Sequence, residues 1–312
     1  MSHKFLYSVF GLVLESDIPL PELTEVDTGI PDVTVKYGIA PPLDNVSPVS
    51  VDHGHVWPGG ALLQHPAIGK LFIAGPGMLV EPRDRIDQRD LRAFILGPGL
   101  GALLYSKSLV PLHVSAIEHN ECVFGITGPS GAGKSTLAYA FDRLKSLRVF
   151  TDDVAALRPE DLNAGVLIYA GPPRIKLWSD ALQQFGVSEK GLIRDVSRTE
   201  KFHLGLSGEQ LGQAMRLRHL IILKHNQHID RPQISMIQGA AAFLECATSF
   251  YRPQYAVINR ESALVLRVAS ALATSVRVYK LERPRKFDQI ELDIELILNA
   301  VSKRTCNSLF VD

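Results

Sequence analysis

The sequence predicts an α/β chain in two parts: a small, mainly antiparallel β unit over residues 1–105 and a larger α/β domain over residues 106–312. Three observations carry this. Residues 1–85 hold short apolar runs punctuated by Gly and Pro, with no sustained helical pattern. An apolar run at 122–126, a glycine-rich turn at 128–133 and a helical apolar pattern from Leu137 follow one another directly. Beyond them, strand-like and helix-like stretches succeed each other to the end of the chain.

In order, residues 5–14 read as one strand, stopped at Asp17-Ile18-Pro19, and residues 32–37 alternate as a half-buried strand does. Residues 38–60 are rich in Pro and Gly and read mostly as loop. Runs at 70–74 and 78–81 flank Gly75-Pro76-Gly77 as a hairpin. Apolar residues at helical spacing over 90–107, interrupted near Gly97-Pro98-Gly99, predict a joining helix. Strands are expected at 110–117, 121–127, 147–151, 166–170, 217–224 and 276–281. Helices are expected from the glycine turn to about Leu144 and at 178–185, 240–250, 261–273 and 288–301. Residues 186–210 are polar and charged, and read as a mobile loop plus an exposed strand.

Composition narrows the class. Lys plus Arg equals Asp plus Glu at 33 each, so no global basic field awaits nucleic acid or anionic lipid. With 46% hydrophobic residues, 312 residues bury an ample core. The longest apolar stretch, 93–105, falls short of the ~20 residues that span a bilayer, and the first ten residues are too polar for a signal peptide. Cys122, Cys246 and Cys306 lie far apart without metal-ligand spacing, which argues for a reducing compartment. The expectation is a cytoplasmic protein with no nucleic acid and no membrane among its partners, and with self-association left open.

Residues 128–135 spell G-x-x-x-x-G-K-S between a strand and a helix, the context of a phosphate-binding P-loop. Gly128, Gly131 and Gly133 allow the loop through Pro129 to turn tightly, so that the N–H groups of residues such as Ser130 and Ala132 face phosphate oxygens. The helix opening at Lys134, Ser135 and Thr136 adds unpaired N–H groups and a positive dipole end. Lys134 is expected at the β- and γ-phosphates and Ser135 on Mg²⁺. A nucleoside triphosphate, ATP, is the ligand this predicts.

Asp152 and Asp153 end an apolar strand that follows the loop's helix. On an extended strand neighbouring side chains diverge, so one carboxylate serves Mg²⁺ and the other faces an acceptor hydroxyl. The reading assigns Asp152 as base and Asp153 to the metal; capping of the next segment is the bland alternative. His113, in Pro-Leu-His-Val-Ser, either packs as core or stands near the γ-phosphate or acceptor. Asp52-His53-Gly54-His55 lacks a further ligand and reads as a surface loop, and His219, His225 and His228 read as solvated.

The order His113, then 128–135, then Asp152-Asp153, resembles the HPr kinase/phosphorylase family. Leu112-His113, 128–136, Thr151-Asp152-Asp153 and 172–182 look more narrowly like the HPr-kinase-like proteins of lasso-peptide clusters. The resemblance implies a P-loop domain related to phosphoenolpyruvate carboxykinase. It also implies ATP-dependent, Mg²⁺-assisted phosphorylation of a serine at the end of a ribosomal precursor peptide, with one aspartate as base. The family's glycine-rich arginine segment is not visible; Gly171-Pro-Pro-Arg-Ile-Lys-Leu-Trp178 stands in its place, and the N-terminal unit looks shorter. Arg194, Arg198 and Lys201 would pair with a peptide carboxylate or with phosphates, or else remain a solvated charged loop. A bifunctional kinase/phosphorylase acting on a folded carrier protein, and a nucleotide-binding regulatory module with little turnover, are the alternative functions.

Overall fold

The computed structural model describes residues 4–43, 46–195, 200–206, 214–261 and 263–302, with the side chain of Ala164 left aside. Its first sheet begins as a hairpin rather than as the single strand expected at 5–14. Phe10 and Gly11 both take positive φ, 56° and 67°, which is what a two-residue turn needs to match strand twist. β1 (Phe5–Val9) therefore pairs antiparallel with β2 (Leu12–Ser16). The sheet continues with β3 (Thr24–Glu25), β4 (Val33–Tyr37), β5 (Val49–Val51) and β6 (Gly54–Trp57). β7 (Gly60–His65), β8 (Gly69–Ala74) and β9 (Gly77–Pro82) complete nine strands among the described residues, ordered β3-β1-β2-β4-β9-β8-β7-β6-β5. The stretch expected as loop thus contains β5 and β6, turned at His53 and Gly54 in left-handed conformations that the Pro- and Gly-rich composition obscured.

The joining helix does not break. α1 (Gln88–Phe94) and α2 (Leu100–Ser106) are continuous through a π-helical turn, Ile95–Gly99, that absorbs Pro98. Leu91, Phe94, Ile95, Leu103 and Leu104 pack on Leu63, Leu71, Ile73 and Val80 of the sheet, and the same core takes in Ala156, Tyr255 and Ile258 from downstream.

The second sheet positions the site. β10 (Val110–Leu112), β11 (Ser115–His119), β12 (Cys122–Thr127), β13 (Val149–Thr151), β14 (Ala155–Leu157) and β15 (Leu167–Ala170) belong to it. The strand expected at 110–117 is two strands, broken at His113-Val114. β12 is apolar and almost wholly buried, as a strand covered on both faces must be. α3 (Lys134–Lys145) leaves the glycine loop and lays Leu137, Ala138, Ala140 and Phe141 on the sheet, the Phe141 ring 5.1 Å from that of Phe124. Phe141→Ala should cost about 3–5 kcal/mol, read as a lower urea midpoint at unchanged m-value.

A smaller sheet follows. β16 (Arg174–Trp178) and β17 (Ile193–Arg194) flank β18 (Lys201–Gly205), with α4 (Ser179–Gln184) between β16 and β17 in the chain. The expected exposed strand within 186–210 is therefore paired, and its Phe202 and His203 are buried. Few apolar residues sufficed because β16 and β17 pair with it on either side.

β19 (Ala214–His225) and β20 (Gln233–Ile237), α5 (Gly239–Ala247), α6 (Leu264–Ser275), β21 (Arg277–Arg283) and α7 (Ile290–Ser302) complete the fold. The second sheet runs β10-β14-β15-β19-β12-β11-β13, with β21 on β19 and β20 on β21. α5 and α6 cover one face, α3 and α7 the other.

Strand direction explains what comes together. β12 is parallel to β19 and β19 to β21, while β11 is antiparallel to both β12 and β13. So β12, β13, β19 and β21 all end on the edge where β11 begins. Ligand sites of open α/β sheets form at that carboxyl edge. The glycine loop, Asp152-Asp153, His225, Arg283 and His113-Ser115 converge there from five separate stretches of chain.

Candidate active site

The loop itself is shaped by close approach. Gly128 has φ 143°, and a Cβ on it would lie 2.7 Å from the Leu223 carbonyl oxygen, so only glycine fits. Gly131 and Gly133 have φ of 80° and 90°. Ser130, Gly131, Ala132, Gly133, Lys134, Ser135 and Thr136 all line one large cleft of about 950 Å³. Lys134 is buried and turned back onto its own loop, its Nζ donating to the carbonyls of Gly128 at 2.9 Å and Pro129 at 3.1 Å. Those two residues hold the ammonium instead of lining the cleft.

The two aspartates part company, though not because the strand stays extended. β13 ends at Thr151, and Asp153 takes a left-handed φ of 74°. Asp152 turns inward, 3% exposed: Oδ1 accepts from Ser115 Oγ at 2.6 Å and Oδ2 from the Lys176 N–H at 3.0 Å. Burial, followed by repulsion from Asp153, pushes its pKa up. Asp153 faces the cleft, with Oδ2 2.7 Å from Lys176 Nζ and Oδ1 3.7 Å from His113 Nε2. Burial opposes its charge, but Lys176, His113 and Lys201 together outweigh that and hold its carboxyl well below the usual range. The assignment of Asp152 as the acceptor-facing base runs against this geometry, because both its oxygens are engaged away from the cleft. Asp153 is the one of the pair that meets the cleft.

His113 sits in the break between β10 and β11. Its N–H donates to the Ser249 carbonyl at 2.8 Å, its carbonyl accepts from Thr127 Oγ1 at 2.9 Å, and its ring meets Tyr251 edge-on. Burial and then the Lys134 charge lower its pKa to about 4, so it is neutral at pH 7. The unfolded chain protonates this histidine near its ordinary value of about 6.5, the native chain only near 4. The unfolded state therefore binds more protons in that window, and stability should fall as pH drops from about 6.5 to 4. His113→Asn should flatten that slope by on the order of 2 kcal/mol across the window, measured by urea melts at successive pH values.

Lys176 begins a charged line the sequence reading missed. It lies 3.8 Å from Asp195, which lies 3.5 Å from buried His203, whose other ring nitrogen is 3.4 Å from Arg174 Nη1. The only sequence signal was the spacing of Arg174 and Lys176 on an alternating strand, which puts both on one face. Of the cations expected to meet a carboxylate, Lys201 lines the cleft, with its ammonium 5.9 Å from the Trp178 ring centre. Arg194 is exposed and stacks on Phe202 outside the cleft lining, and Arg198 lies outside the described residues. Asp52 and His53 are exposed on a turn, as a surface loop would be, and with His65 they also line the cleft. Of the three later histidines, His225 and His228 are exposed, His225 on the cleft wall, and His219 is buried.

No family model matches the chain, and no curated protein is a significant match. Among solved structures it is similar to the Hpr(Ser) kinase/phosphatase from Coxiella burnetii. The identity is 13%, the TM-score 0.31, and the match covers 61% of this chain and 90% of that one. A likeness so loose decides nothing about chemistry; the residues must do that.

As a test for Mg²⁺, no cluster of three or more His, Cys, Asp or Glu that would hold a metal occurs among the described residues. Mg²⁺ at nucleotide sites is held by one or two protein oxygens plus phosphate oxygens, so no such cage is required. Ser135 and Asp153, both hard oxygen donors on one cleft, fit that demand. No helix among the described residues is long and apolar enough to cross a membrane.

Proposed function

We propose that this chain is an ATP-dependent kinase that transfers the γ-phosphoryl group to a serine hydroxyl of a peptide. One observation carries the reading: a glycine loop with its lysine and serine shares a single cleft with a carboxylate held ionised by Lys176. Phosphoryl transfer asks for positioning and charge neutralisation, and this cleft offers both.

Lys134 would exchange the Gly128 and Pro129 carbonyls for phosphate oxygens, a trade of two neutral acceptors for charged ones. Ser135 and Asp153 would hold Mg²⁺, which supplies charge neutralisation across the β- and γ-phosphates. Asp153 Oδ1, the oxygen not tied to Lys176, would orient the acceptor O–H and take its proton. The bond from the γ-phosphorus to ADP breaks as the bond to the acceptor oxygen forms. A carboxylate of low pKa suffices, because the loose transition state calls for little proton transfer before the phosphoryl group has moved. Asp152, bonded to Ser115 and the Lys176 N–H, would set the chain direction that presents Asp153 and Lys176.

For the acceptor we follow the sequence resemblance to a precursor peptide with a serine near its C-terminus. Lys201 and Arg174 on the small sheet give the cleft cationic character on the Asp153 side. A peptide ending in a free carboxylate beside its serine should gain phosphate, seen by mass spectrometry, faster than its C-terminal amide by about tenfold. Lys201→Gln should erase the difference. Equal rates for acid and amide would turn the acceptor reading toward a folded protein.

A further inference from the structure

Arg283 closes β21 on the same sheet edge, two strands over from β12, and was not singled out by its sequence context. Its side chain is 9% exposed and lines the cleft. A Cβ on Gly133 would lie 3.9 Å from its Nη1, so the guanidinium stands beside the last glycine of the loop. His225, at the end of β19, lines the same cleft.

The partner of Arg283 is Asp293 of α7, 1% exposed, with Oδ2 3.1 Å from Nη1. The pair is poorly matched. Neither Nε nor Nη1 of the arginine, and neither oxygen of the aspartate, makes a well-formed hydrogen bond. Burial works against the arginine's charge and raises the Asp293 carboxyl to about 6. An ion pair removed from water without good hydrogen bonds is a weak stabiliser. A packing role alone is therefore a poor account of this guanidinium. A second anion arriving at the Gly133 side would use the donors that Asp293 leaves unsatisfied.

We propose that Arg283 is a second phosphate-binding cation of this cleft, ligating the polyphosphate chain of the bound nucleotide beside Gly133, with Asp293 as the positioning residue that holds it there. This rests on the reading of 128–136 as an ATP site. Lys134 and Arg283 then reach the phosphates from different elements, one from the helix and one from the sheet.

Calorimetric titration with MgATP and with inorganic pyrophosphate tests it on the wild type, Arg283→Gln, Arg283→Lys, Asp293→Asn and Lys134→Ala. Arg283→Gln should weaken both ligands about ten- to a hundred-fold, the loss of charged hydrogen bonds. Arg283→Lys should recover part of that, and it carries the test if Arg283→Gln does not fold. Asp293→Asn should weaken both ligands less than Arg283→Gln does. A merely structural arginine would lower the melting temperature of the empty protein and leave both dissociation constants unchanged, and that result overturns the proposal. If Lys134→Ala loses binding while Arg283→Gln keeps it, only this inference falls. If the wild type binds neither ligand, the kinase reading falls with it.

Discussion

Lys134→Ala should abolish detectable phosphoryl transfer, a loss of about 10³-fold or more in rate, while the protein stays folded. The structure explains why the effect should be large and the damage local. Lys134 Nζ is folded onto its own loop, donating to the carbonyls of Gly128 and Pro129. Removing it frees two carbonyls at the edge of an open cleft, where water replaces the ammonium. It also removes the charge that must meet the transferring phosphoryl group, for which water is no substitute. A single-turnover assay with radiolabelled ATP reads the rate, and a thermal melt reads the fold. Turnover within a few-fold of the wild type would take the loop out of the mechanism.

The second large effect separates the two aspartates. Asp153→Asn should reduce the rate at saturating Mg²⁺ by about 10²–10⁴-fold and also raise the Mg²⁺ concentration needed for half-maximal rate. Both follow because Asp153 alone of the pair meets the cleft, where Lys176 and His113 contact it. Asp152→Asn should behave differently. An amide oxygen can still accept from Ser115 Oγ, but the amide nitrogen cannot accept from the Lys176 N–H, which leaves a buried donor unmet. The expected result is about 1–3 kcal/mol of lost stability with an unchanged Mg²⁺ requirement. The opposite pattern, a catalytic collapse at Asp152 with a near-silent Asp153, would reverse the assignment made from the geometry.

What could be read in advance followed from local pattern. Cys122 to Ile126, the glycines and Leu137, Ala138, Ala140 and Phe141 form a strand, a loop and a helix because each stretch satisfies its own periodicity and turn chemistry. His113 and the aspartate pair were singled out, and the sheet does bring His113 and Asp153 to within 3.7 Å of each other. The inward turn of Asp152 was not legible, since it depends on Ser115 across the sheet and on the backbone of β16, neither local in sequence. Lys176, Arg174 and Arg283 were missed for the same reason. Each reads as an ordinary charged residue on a strand until strand order places its end beside the loop. The strands β5 and β6 were hidden by Gly and Pro, and β18 by its polar residues. In both cases pairing with a neighbour supplied what local propensity lacked.

The most direct measurement of the central claim is the titration of MgATP into the wild type and into Lys134→Ala by calorimetry. The account predicts saturable binding at one site in the wild type, weakened when Mg²⁺ is chelated and lost in Lys134→Ala. Absence of binding to the wild type, or equal affinity in the two proteins, would contradict it.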